Sequence, residues 1–115
     1  RVLTLFVESL NELIRTDSDW LARYGGEEFL LVLPETTLEN AERLAQRLRA
    51  RIDGKTFECQ GEAIQITASF GVVGFSAGEL PKGLQAEALL NQADEFLYRA
   101  KKKGRNRVVS GPFAP

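Results

Sequence analysis

A chain of 115 residues with 43% apolar and 27% charged side chains is one small folded domain or a piece of one, not a disordered segment. Its formal net charge of −1 excludes a global positive field that would draw it onto nucleic acid or an anionic membrane. It has no histidine, and Cys59 is its single cysteine, so an internal disulfide, the usual zinc sites and the Ser-His-Asp or Cys-His hydrolase sites are all ruled out.

Any chemistry must therefore rest on carboxylates, Lys, Arg, backbone amides or a bound hard cation. The chain starts at Arg1 with no initiator methionine, no signal sequence and no apolar run of membrane-spanning length. We read it as an intracellular, cytoplasmic segment cut from a longer protein, either soluble or the cytoplasmic domain of a membrane-anchored one, with no membrane contact from this segment.

In chain order, Leu3, Phe6, Leu10 and Leu13 recur at helical spacing and predict an amphipathic helix over 2–14. Thr16 to Asp19 is turn chemistry. Two strand-like runs, Trp20–Arg23 and Phe29–Leu33, flank Gly25-Gly26, a dipeptide suited to a tight hairpin turn, and Pro34 ends the second run. Thr36 and Glu39 have capping-box spacing. Leu38, Ala41, Leu44, Ala45, Leu48 and Ile52 follow on one helical face, which Gly54 closes. Residues 64–72 alternate apolar and polar, as a half-buried strand does. Residues 76–84 read as an exposed loop.

A last helix carries Leu89, Leu90, Ala93, Phe96, Leu97 and Ala100 on one face, with Gly104 as its stop, and Val108-Val109 supply a final strand. Asp94 and Tyr98, spaced i,i+4 beside that face, read as structural. The order helix, hairpin, helix, strand, helix, strand predicts an α+β fold: a mostly antiparallel central sheet with helices packed on its faces.

The chemistry-bearing stretch is Arg23-Tyr24-Gly25-Gly26-Glu27-Glu28-Phe29. The Gly-Gly turn lets a phosphate approach bare amides, and an adjacent carboxylate can hold Mg²⁺. In isolation the same residues also read as a hairpin turn with solvated acids. Near the C-terminus, residues 101–107 hold five cations in seven positions. For Lys102 and Lys103 a helix end neutralising its own dipole is the simpler reading; Lys101 and Arg105 are the candidates for anion contact. A DNA-binding patch lacks both aromatic interleaving and net positive charge.

Gly25-Gly26-Glu27-Glu28-Phe29 resembles the signature of the GGDEF family of diguanylate cyclases in its Glu-for-Asp form. Ile66-Thr67-Ala68-Ser69-Phe70-Gly71-Val72 is similar to that family's later strand. Residues 93–101 together with Gly104-Arg105-Asn106 are similar to its closing helix and turn. The resemblance covers about residues 1–110, read as a partial catalytic domain, with 111–115 as a tail.

The resemblance implies a nucleotide-cyclase or palm-like (ferredoxin-like) fold and the condensation of two GTP into cyclic di-GMP. Release of two pyrophosphates, a Mg²⁺ (or Mn²⁺) cofactor and a homodimer come with that reaction. Position by position, it implies that Gly25 and Gly26 lie along the GTP phosphates. Glu27 then binds the metal and helps activate the attacking 3′-hydroxyl, Glu28 supports the site, and Lys101 and Arg105 contact phosphate. A product-inhibition site of the family resembles Asp19 at its acid position and Arg47 at its secondary arginine. The first arginine position holds Thr16, however, which cannot make a guanidinium's bidentate fork.

The family's upstream strand and helix carry a second metal carboxylate, a phosphate-contacting lysine and the guanine-recognising Asn and Asp; none of these is in this sequence. The resemblance therefore implies a fragment that by itself neither turns over GTP nor folds robustly, with a sensory or regulatory domain upstream. The competing readings are a catalytically inactive module of the same family that senses GTP or cyclic di-GMP, and a structural α+β domain.

Overall fold

The structure is a computed structural model and describes residues 20–25, 28–75 and 85–114. The expected first helix (2–14) and the 76–84 loop lie outside the described residues. Strand β1 (Trp20–Gly25) pairs antiparallel with β2 (Glu28–Val32). The ladder runs Trp20↔Val32 to Arg23↔Phe29, then slips at Tyr24 so that Gly25 pairs Glu28. That irregularity is one extra residue in β1, a bulge of the kind that bends a strand and changes which way the residues beyond it face.

Helix α1 (Leu38–Asp53) follows. Its N-cap is Thr37, whose Oγ1 accepts from the Asn40 amide at 3.3 Å, while the Thr36 hydroxyl donates to the Pro34 carbonyl at 3.1 Å. The expected cap at Thr36 is thus corrected by one residue. Thr36 is drawn into the turn after β2, which leaves the next hydroxyl to meet the helix's first free amides. Thr37→Ala is expected to cost about 1 kcal/mol in urea unfolding. Gly54 closes the helix as read, its N–H bonded to the Ala50 carbonyl at 3.1 Å.

Strands β3 (Thr56–Cys59) and β4 (Glu62–Gln65) form an antiparallel hairpin that the sequence reading did not contain. Its two-residue turn places Gln60 at φ 54° and Gly61 at φ 80°, the double positive-φ geometry whose usual signal is Asn-Gly. The single strand expected over 64–72 is also corrected. Regular pairing stops at Gln65 and resumes at β5 (Phe70–Gly74), and residues 66–69 between them pair with no strand among the described residues.

Strand β5 pairs in parallel with β6 (Val108–Pro112), and helix α2 (Ala86–Lys102) forms the crossover. Side-chain parity decides which helix covers which face. A Cβ at Gly71 would meet α2, and one at Gly111 would meet the Phe96 ring of α2. Phe70 packs on the Leu48–Ile52 core of α1, and the Ser110 hydroxyl donates to Glu42 of α1 at 2.9 Å. Alternate residues of both strands thus meet different helices, so α1 and α2 lie on opposite faces of this pair, as parallel strands require.

The core sits under α1. Leu48 and Ile52 are each 1% exposed and gather Leu21, Leu31, Leu44, Ile66, Ala68 and Phe70. Burying each is worth about 2–3 kcal/mol against leaving it in water. This cluster joins the β1–β2 hairpin to the approach to β5, although they are far apart in sequence. Beyond β6, Phe113 packs against Phe75 with ring centroids 5.6 Å apart, and the Gln92 amide exchanges hydrogen bonds with the Ala114 backbone.

Tyr98 does not join the core: it is 59% exposed. It stands two residues from Ala100, which is wholly buried, and two residues turn a helix by about 200°. Asp94 shares the exposed side. Tyr98 instead receives the Lys102 ammonium at 5.4 Å from its ring centroid.

Candidate functional site

Two elements from opposite ends of the chain meet at the mouth of the β1–β2 hairpin. Gly25 and Glu28 close the ladder on either side of residues 26 and 27. The Glu28 carboxylate lies 3.6 Å from the Lys101 ammonium in the last turn of α2, with the two side chains 43% and 39% exposed. A pair this open to water adds little to stability. What it does is bring a signature acid and a candidate phosphate-binding cation to one point.

The packing of α2 explains why Lys101 arrives there. Ala100 is fully buried, and the next residue is carried round to the hairpin's edge. Arg99, Lys101 and Lys102 all stand in the last turn, where cations meet the negative end of the helix dipole. Their partners differ. Arg99 is bonded to Glu95 at 2.8 Å and lies over the Phe96 ring, and Lys102 lies over Tyr98. Of the three, Lys101 is the one directed at the signature hairpin.

Past α2 the chain turns sharply. Gly104 has φ 121°, a value that suits glycine at a helix stop, and Arg105 and Asn106 continue in the left-handed region at φ 61° and 46°. The Arg105 N–H donates to the Ala100 carbonyl at 3.0 Å, and its carbonyl accepts from Arg107 Nε at 3.1 Å. Its guanidinium is exposed and has no partner among the described residues.

The remaining sequence candidates divide. Gly26, Glu27 and Asp19 lie outside the described residues. Arg47 stands on the exposed side of α1, in an open groove with Glu39, Glu42, Arg43 and Gln46 from the same helix. Arg47 is not part of the Glu28–Lys101 contact. Asn106 and Ser69, which the sequence reading left without roles, bind one another and brace the turn that carries Arg105.

At the hairpin mouth the partly exposed Glu28 carboxylate is engaged by Lys101 and does not by itself hold a hard divalent ion among the described residues. No group of three acids that could cage a metal occurs among them. Mg²⁺ needs no such cage, because it completes its shell with phosphate oxygens and water. Among the described residues no helix is long and apolar enough to cross a membrane.

Residues 1–107 match the family model described as Diguanylate cyclase, GGDEF domain. The chain is 41% identical over 108 residues to the diguanylate cyclase DgcP of Pseudomonas aeruginosa, covering 94% of this chain and 15% of that protein. It is similar to the diguanylate cyclase SiaD of Pseudomonas aeruginosa, solved in complex with its activator SiaC. There the TM-score is 0.82 and the identity 33%, over 96% of this chain and 40% of that one. It is also similar to the active GGEEF domain of a diguanylate cyclase from Vibrio cholerae, at TM-score 0.72 and 30% identity, over 99% of this chain and 67% of that one. The chain thus spans a minor part of the length of DgcP and SiaD. With a palm-like α+β fold and the Gly-Gly-Glu-Glu-Phe signature at its hairpin, the chain belongs to the GGDEF domain family of diguanylate cyclases.

Proposed function

We propose that this chain forms the phosphate-binding part of a diguanylate cyclase that joins two GTP into cyclic di-GMP and releases two pyrophosphates. The observation that carries the reading is the Glu28–Lys101 contact, which unites the signature hairpin with the cationic end of α2. In this reading the amides of Gly25 and Gly26 lie along the triphosphate, and Lys101 and Arg105 neutralise its oxygens. Glu27 holds the divalent ion, and Glu28 keeps Lys101 aimed at the site. Bound Mg²⁺ or Mn²⁺ supplies charge neutralisation at the transferring phosphate.

Phosphoryl transfer depends on positioning and charge more than on covalent chemistry, so a loop of bare amides flanked by acids and cations suits the phosphate-holding part of such a site. One domain holds one GTP, so the reaction needs two domains face to face and hence a homodimer. The reading also places the domain in the cytoplasm, under the control of a sensory or regulatory domain elsewhere in the full-length protein.

The test is to incubate the full-length protein with GTP and Mg²⁺ and look for cyclic di-GMP by chromatography. GTP binding without product would favour a sensing module of the same family; neither binding nor product would overturn the reading. Lys101→Ala is expected to raise KM for GTP about tenfold, the cost of one charge-assisted phosphate contact. Its Tm should barely change, because the pair it breaks is exposed.

A further inference from the structure

Arg105 is an arginine in a backbone conformation that L side chains rarely adopt, and the residue after it shares that conformation. A strained backbone persists only where its surroundings hold it, and here the holding groups can be named. Asn106 is the centre of a clamp. Its side-chain amide donates to Asp53 Oδ2 at 3.2 Å, its side-chain carbonyl accepts from Arg49 Nη1 at 3.1 Å, and its backbone N–H donates to Ser69 Oγ at 3.0 Å. Arg49 and Asp53 belong to the last turns of α1, and Ser69 leads into β5.

Three polar contacts thus tie the turn after α2 to two other elements. One residue back, the guanidinium of Arg105 stays exposed, with no partner among the described residues. Asparagine suits the position twice over: it tolerates the left-handed region, and its amide both donates and accepts.

We infer that Asn106 is a positioning residue for Arg105: by bridging Arg49 and Asp53 it fixes the left-handed turn and so pre-aims the Arg105 guanidinium at substrate phosphate. The inference rests on the cyclase reading, and it assigns the clamp a task beyond stability. A guanidinium held on a fixed backbone loses less freedom on binding phosphate, and a small misplacement of a binding group costs much of its effect.

The test uses the full-length protein, with KM and kcat for GTP measured by product chromatography alongside Tm. Asn106→Gly keeps the left-handed turn accessible and removes the amide clamp. It is expected to raise KM for GTP about tenfold. Added to Arg105→Ala it should raise KM no further, because the clamp acts only through that side chain. The exchange Asp53→Asn with Asn106→Asp rebuilds both contacts: the amide at 53 donates to the carboxylate at 106, which still accepts from Arg49. This exchange is expected to return KM to within about threefold of wild type, which separates positioning from loss of fold.

A KM for Asn106→Gly within twofold of wild type would overturn the inference. So would additive losses in the double variant with Arg105→Ala, or an exchange variant that stays impaired. A wild-type protein that neither binds nor converts GTP would remove the cyclase reading itself, an outcome the wild-type arm reports alone.

Discussion

Replacing Glu27 with Gln in the full-length protein is expected to lower cyclic di-GMP production on the order of 10³-fold with almost no change in Tm. The substitution preserves size and hydrogen-bonding capacity and removes one negative charge. In the proposed site that charge holds the divalent ion against the phosphates, and losing one preorganised electrostatic group costs about 2.7–4 kcal/mol of transition-state stabilisation. In a homodimer both sites are altered, so no intact copy can compensate. Binding of GTP should weaken far less than turnover, because Lys101, Arg105 and the glycine amides are untouched. The measurement is product formed per minute at saturating GTP and Mg²⁺; turnover within tenfold of wild type would remove Glu27 from the metal site.

Gly71→Ala is expected to destabilise the fold by about 3 kcal/mol or more, at or beyond the top of the overpacking range. A Cβ at this position would stand 2.3 Å from both the Ala93 carbonyl oxygen and the Leu97 amide nitrogen, and 2.9 Å from Leu97 Cα. All three are helix backbone atoms, so no change of rotamer relieves the clash, and α2 must back away from β5 by about 1 Å to restore ordinary contact. Against a total stability of about 5–15 kcal/mol this is a large fraction. It also bears on function. Lys101 reaches Glu28 from the last turn of the displaced helix, so GTP affinity should fall together with the urea midpoint. A midpoint that moves by less than the equivalent of about 0.5 kcal/mol would show that α2 does not lie directly on β5.

Gly71 also shows how local signals and tertiary structure divide the work. In the sequence it is one polar-side position in an alternating run, indistinguishable from Gln65 or Thr67. In the fold it is the place where a helix backbone meets a strand backbone. The same run shows the limit of periodicity, for it continues through residues 66–69, which pair with no strand among the described residues. Alternation records which side chains are buried, and Ile66 and Ala68 are half-buried on α1 whether or not their backbones join a ladder.

The β3–β4 hairpin was not legible because its turn is Gln60-Gly61, and glutamine rarely advertises a positive φ. An aromatic beside an apolar face is usually core, but the angle from Ala100 turns Tyr98 to solvent, where it packs with Lys102.

The amino-acid sequence alone determined the family resemblance, the apolar faces of α1 and α2, and the inventory of acids and cations from which the site is proposed. Each of these depends on residue type and local spacing, which are written directly into the chain. Only the tertiary structure decided that Lys101 meets Glu28, that α1 and α2 cover opposite faces of a parallel strand pair, and that Asn106 bridges to Arg49 and Asp53. Those are contacts between distant segments, set by how the helices pack across β5 and β6, and no local pattern encodes them.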